Sequence, residues 1–274
     1  LFTFFLIMIS IESMAQNKSA TVDFNKNIEF LGYIIEQGDP SNNDKEHPIS
    51  KVTHKYPEDK NNTSISKLFE LASDIDYSTL VNLMYYLPEF PIKRNFTLFD
   101  KLASRLGFAS KSEKETFNLL ISELNNFYNT SNFEQVWKKL QPHQRKVKRL
   151  LKKMLPKNEV FEQMEKFYQQ HYQQYKIIPS LTLWQAGFGI RDVKNQTAVY
   201  ILGPLGDNYD FNKSEAFTDL AIHEFGHSFV NHVLLENKKV LEKTKLLFAP
   251  IKAAMKKQGY SNWETCMIEH FVRA

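Results

Sequence analysis

Apolar residues recur at helical spacing from residue 64 to about 175, and the period then shortens, which sets the fold class. Ile65, Leu68, Phe69, Leu71 and Ala72 form one stripe. Leu80, Leu83, Met84 and Leu87 form another, stopped by Pro88 and Pro91. Phe117, Leu120, Ile121, Leu124, Phe127 and Tyr128 make a third. A helix is also expected over Asn158 to Tyr175. Strand-like runs follow at Leu181–Trp184, broken by glycines 187 and 189, and at Thr197–Leu202, closed by Gly203-Pro204-Leu205-Gly206. Helical spacing returns over about 215–235, with Ser214 as a plausible N-cap, and over about 238–257. Asn262 or Ser261 then caps a last helix from Trp263. An early strand-like segment, Val22–Phe24 and Ile28–Ile35, precedes all of this. Helices and strands segregated in this way imply an α+β protein. The expected division is a mainly helical region over 16–157, with an initial strand segment, and a second unit over 158–274.

Several function classes are excluded early. Net charge is +4, with both signs interspersed, too weak an imbalance to imply nucleic acid. Lysines and arginines are dense in 138–153, where Val147, Leu150, Leu151 and Met154 recur at helical spacing; this reads as one buried stripe beneath a basic, solvated face. Cys266 is the single cysteine, so no intrachain disulfide framework exists. Residues 39–63 are polar and loop-like, and His47 and His54 there lack metal-ligand spacing. Leu1 to Ile11 is apolar and too short to span a bilayer comfortably, and Ser13-Met14-Ala15 follows with small residues where a signal peptidase reads. Residues 1–15 are therefore expected to be a partial export signal, and the mature protein an exported one without stable membrane insertion. The chain stops in the middle of a helical pattern after Arg273-Ala274, which reads as a shortened record.

Within the helical run over about 215–235 lies Ile222-His223-Glu224-Phe225-Gly226-His227-Ser228. Two histidines four residues apart share one helix face. Imidazoles so placed supply two of the three protein ligands of an open catalytic Zn²⁺ site, and the intervening Glu224 can reach a reacting water without binding the metal. The expected cofactor is thus one zinc ion.

A third ligand must come from elsewhere. No aspartate follows His227. His232 lies about 140° around the same helix, and Val230 and Val233 occupy the Gly and His positions of the longer three-histidine motif. His270 and four glutamates remain. Glu236 and Glu242 sit in a charged, surface-like stretch, whereas Glu264 and Glu269 lie on the final helix about 140° apart, so only one faces the metal. Glu269 is the better placed, beside Met267-Ile268 and Phe271-Val272 and one turn before Arg273, which can hold its carboxylate. Glu264 stands second.

His223, Glu224 and His227, with a glutamate on a later helix, resemble the gluzincin branch of zinc metallopeptidases, typified by thermolysin. More narrowly, FTDLAIHEFGHSFVN, WETCMIEHFVRA and the early NIEFLGYIIEQ are similar to a largely uncharacterised family of exported bacterial proteins in the zincin-like set. The resemblance implies a zincin-like domain with a small mixed sheet, an edge strand, an active-site helix and a glutamate helix. It also implies that Thr197-Ala198-Val199-Tyr200 is the edge that pairs with a peptide substrate, through Ala198 and Tyr200. Asp219 and Asn231, one turn either side of the histidines, become candidates to orient them. Peptide hydrolysis would need a donor to the tetrahedral oxyanion, with His270, Tyr260 and Tyr200 as candidates. Two other readings stand beside this one: a catalytically inactive zincin-fold binding protein, and a zinc amidase acting on cell-wall peptides.

Overall fold

The computed structural model describes residues 19–39, 48–55, 63–93, 102–103, 106, 108, 110–183, 187–205, 211–212 and 214–274. The leader read from residues 1–15, His47, Trp184 and Gly206 lie outside them.

Four strands make one mixed sheet in the order β1-β2-β4-β3: β1 (Ala20–Val22), β2 (Gln174–Pro179), β3 (Gly187–Asp192) and β4 (Thr197–Leu202). β1 and β4 run parallel to β2, and β3 is antiparallel to β4, with Gly189 opposite Tyr200. β4 is buried at all six positions, as expected of a central strand covered on both faces. The edge strands are β1 and β3.

Before β2 come α1 (Lys26–Gly38), α2 (Pro48–Thr53), α3 (Thr63–Ala72), α4 (Tyr77–Tyr86), α5 (Lys111–Thr130), α6 (Phe133–Lys153) and α7 (Asn158–Tyr168). The strand-like run Ile28–Ile35 is helical. Asn25 caps it by accepting from the Asn27 and Ile28 amides, and its apolar residues at 28, 31, 34 and 35 recur at a helical spacing that a strand reading of the run passes over. α5 is the opposite case: all six expected apolar residues are buried, behind a Ser110–Glu113 capping box. On α6 the basic face is exposed, but of the expected stripe only Leu151 is fully buried, alongside Phe133, Val136 and Leu140. The helix expected to reach Tyr175 ends at Tyr168. Gln169 turns left-handed at φ 53°, and β2 begins at Gln174.

One core runs without interruption from Ala20 to Phe229. The expected division at 157/158 therefore passes through shared packing, and β1, from the first unit, sits in the sheet of the second. Phe30 anchors the core among Phe90, Phe127, Tyr128 and Phe133, with ring centroids 4.9–5.9 Å away. α1 also fixes the chain entering β3. The buried Glu29 carboxylate accepts from Ser180 Oγ (3.0 Å), the Leu181 amide (3.0 Å) and Thr182 Oγ1 (2.8 Å). Burial pushes the Glu29 pKa up, against the pull of those donors.

α4 braces β3 from the sheet face opposite the later helices. Tyr85 Oη donates to Asp192 Oδ2 and Tyr86 Oη to the Arg191 carbonyl, each at 2.9 Å, and the Tyr77 ring meets Phe188 edge-on at 5.3 Å. After β4 come α8 (Ser214–Glu236), α9 (Lys238–Thr244), a 3₁₀ turn (Lys245–Phe248), α10 (Lys252–Lys257) and α11 (Trp263–Arg273), the last capped by Asn262. The single helix expected over 238–257 is broken because Pro250 has no amide to offer the Leu246 carbonyl, which takes the Ala249 amide instead. No described helix is long and apolar enough to cross a membrane.

Asp76 caps α4, accepting from the Thr79 amide (3.0 Å) and the Ser78 and Thr79 hydroxyls (2.6 Å each). Burial alone would raise its pKa, but these bonds outweigh it and hold the carboxyl below its ordinary value. Asp76→Ala should cost about 1 kcal/mol in urea unfolding at neutral pH. The sign follows from the lowered pKa: the wild-type advantage is present above the ordinary carboxylate range and fades as pH falls through the folded value.

Candidate metal centre

α8 lies directly on β3, and glycine makes that contact possible. A Cβ on Gly189 would fall 1.9 Å from the Glu224 carbonyl oxygen and 2.6 Å from His227 Cβ. A Cβ on Gly187 would fall 2.5 Å from Glu224 Oε1. Ser228 Oγ donates to the Ile190 carbonyl at 3.0 Å and pins the two elements. The inner face of α8, with Phe217, Ala221, Phe225 and Phe229 fully buried, packs on Tyr175 and Tyr200. The outer face carries the histidines.

His223 Nε2 and His227 Nε2 stand 3.3 Å apart. α11 brings Glu269 to them: its Oε2 is 3.4 Å from His223 Nε2 and its Oε1 is 3.5 Å from His227 Nε2. Gly226 permits this approach, because a Cβ there would lie 2.9 Å from Val272 Cγ1 on α11. His223, His227 and Glu269 thus converge in a group that could hold a metal ion. Glu264 is exposed and outside it.

The surroundings suit a cation. Burial lowers the pKa of both imidazoles, keeping them neutral, although Glu269 pulls the other way. The Asn231 amide oxygen is 3.0 Å from His227 Nδ1, so that nitrogen carries the proton and Nε2 keeps its lone pair for a ligand. Asp219 is exposed and makes no hydrogen bond to His223 among the described residues. Behind the carboxylate, Arg273 Nη2 is 3.4 Å from Glu269 Oε2, and Tyr260 Oη donates to the same oxygen at 3.2 Å. Arg273 also donates to Tyr260 Oη.

Glu224 is buried beside the ligands, 6% exposed. Burial, and then the Glu269 charge, push its pKa up to about 8, against the Gly189 amide that hydrogen-bonds it. That is the condition of a carboxyl able to exchange a proton near neutral pH.

The other expected residues divide. Tyr260 places its hydroxyl at the ligand group. His270, one residue past Glu269, is exposed and has its Nδ1 2.7 Å from the Cys266 carbonyl of its own helix, away from the cluster. Ala198 and Tyr200 are not on the sheet edge. Both edges of β4 are taken, by β2 and β3, and both residues are fully buried. The Tyr200 hydroxyl lies inside the core with no hydrogen-bond partner among the described residues. The exposed edge next to the cluster is β3, where the glycines look like strand breakers but begin and occupy the strand. Their alternation in Gly-Phe-Gly-Ile was the available signal.

Residues 93–274 match the family model described as a domain of unknown function (DUF4932). The chain belongs to that family. No curated protein and no solved structure matches it. The matched DUF4932 region contains α5 to α11 together with β2, β3 and β4, and so every residue of the cluster; β1 and the first four helices precede it.

Asn231→Ala should weaken metal binding about 10–100-fold by releasing the His227 ring, measured by competition with a chromophoric chelator. Glu269→Ala should weaken it far more than Glu264→Ala in the same assay. The reverse order would place the third ligand elsewhere.

Proposed function

We propose that the protein is a zinc-dependent peptidase of zincin-like type, with His223, His227 and Glu269 as ligands and Glu224 as general base. The carrying observation is the shape of the cluster. A tetrahedral centre with bonds of about 2.0–2.2 Å separates neighbouring ligand atoms by about 3.3–3.6 Å; the two Nε2 atoms are 3.3 Å apart, and the Glu269 carboxylate faces both, one oxygen 3.4 Å from His223 and the other 3.5 Å from His227. Two neutral imidazoles and one carboxylate are also a donor set that zinc favours. Bound there, zinc supplies Lewis acidity, which polarises a carbonyl and acidifies water.

The remaining work falls to the chain. Glu224 takes a proton as water oxygen bonds to the carbonyl carbon, and returns it to the amine nitrogen as the C–N bond breaks. Tyr260, with Arg273 against its hydroxyl, supplies a hydrogen-bond donor for the oxyanion by turning its O–H from Glu269 to the substrate. β3 aligns the substrate. Gly189 turns its amide to Glu224 and Arg191 turns its carbonyl to Tyr86, so by strand alternation the odd-numbered residues present their backbone to the open edge. The carbonyls of Gly187 and Gly189 are therefore the acceptors for an extended peptide laid along β3. Action outside the cytoplasm is part of the proposal and rests on the leader-like sequence of residues 1–15.

Glu224→Gln should retain metal while peptide turnover falls about 10²–10⁴-fold. Turnover equal to wild type would sink the mechanism. Tyr260→Phe should lower kcat by about 10²-fold with little change in KM, if its hydroxyl acts only in the transition state.

A further inference from the structure

The segment linking the active-site helix to the glutamate helix has a surface unlike the rest of the molecule. Its 3₁₀ turn presents two adjacent leucines to water, Leu246 at 85% and Leu247 at 61% exposure, and Val240 on α9 is 56% exposed. Isolated exposed apolar residues are ordinary, but two successive leucines at the tip of a turn are not. Seven lysines lie between 238 and 257, all exposed. The single acid there, Glu242, is 3.5 Å from Lys245. No arginine occurs in the segment.

The segment is firmly built. Leu241 and Phe248 are buried, Phe248 packs with Trp263 and Cys266 in a separate apolar cluster, and Trp263 Nε1 donates to Thr244 Oγ1 at 3.1 Å. The exposed leucines are thus held outward on a platform fixed to the glutamate helix.

We propose that this platform adsorbs to an anionic lipid bilayer, with Leu246 and Leu247 entering the headgroup–acyl boundary and the lysines contacting lipid phosphates. Charge complementarity chooses the occupant. Lysine is a flexible point charge that lies along an apolar surface and extends its ammonium to the interface, whereas sites for nucleic-acid phosphate favour the planar fork of arginine. Each lysine near such a surface adds about fivefold to binding. Adsorption of this kind needs no membrane-spanning helix. It would present the metal centre to peptides at a membrane surface, a consequence that rests on the peptidase reading; the adsorption itself does not.

The test is flotation of the full chain with vesicles of phosphatidylglycerol and phosphatidylcholine, against phosphatidylcholine alone. Binding should be at least about tenfold stronger to the anionic vesicles and should fall steeply with added salt. The double variant L246S/L247S should lose about tenfold, and K252Q/K256Q/K257Q should lose more and flatten the salt dependence. Both sets of positions are exposed, so thermal melting and zinc titration should match wild type, which separates failure here from failure of the metal site. Equal binding to both vesicle types, or undiminished binding by L246S/L247S, overturns the proposal. So does a change in oligomeric mass on L246S/L247S substitution without any vesicle binding, since the leucines would then serve a second copy of the chain.

Discussion

The close approach of α8 to β3 is the constraint on which the rest of the centre depends. A helix with side chains beneath it sits well clear of a sheet. Here the bare backbone at Gly189 lets the main chain at Glu224 come into direct contact with the strand. That contact fixes the height and rotation of α8, which brings His227 beside β3 and tucks Glu224 against the strand. The same device recurs on the helix's other side, where Gly226 admits Val272 and with it the carboxylate of Glu269. Two absent side chains thus set the dimensions of the cluster.

The charges are arranged to keep that cluster coherent. Glu224 and Glu269 are neighbours of like sign, and their repulsion appears in the raised pKa of Glu224. Arg273 and Tyr260 hold Glu269 from behind, while Glu224 is buried with the Gly189 amide as its hydrogen-bond donor. In the proposed reading these surroundings separate the two carboxyl groups into a ligand and an acid–base group.

What was legible in the sequence follows a physical rule. α5 announced itself through its stripe of six apolar residues, and α8 through the spacing of its histidine pair. α1 did not, although its apolar residues at 28, 31, 34 and 35 keep a helical period, because a short apolar run also fits a buried strand. β3 did not either, because glycine carries no side chain to alternate. The placement of Ala198 and Tyr200 failed for another reason: which strand lies at an edge depends on pairings across the whole chain, and β4 has a strand's pattern whether central or peripheral. Helix geometry allowed only one of Glu264 and Glu269 to face the histidines, and the apolar neighbours of Glu269 with Arg273 one turn on singled it out. Tyr260 could not be separated from His270 that way, since its position depends on the turn before α11, where Gly259 adopts φ 91°.

The three-residue strand β1 has a further consequence. Thr21 donates through its hydroxyl to the Tyr175 carbonyl across 154 positions of chain, so the sheet closes only after nearly everything between has been made and gathered. Pairings of such separation are slow to form, and the molecule is correspondingly slow to commit to its native topology. They also give the first described residues an importance out of proportion to their number. A shortened chain beginning after Val22 would leave the edge of β2 at Tyr175–Ile177 open, a template for pairing with other copies.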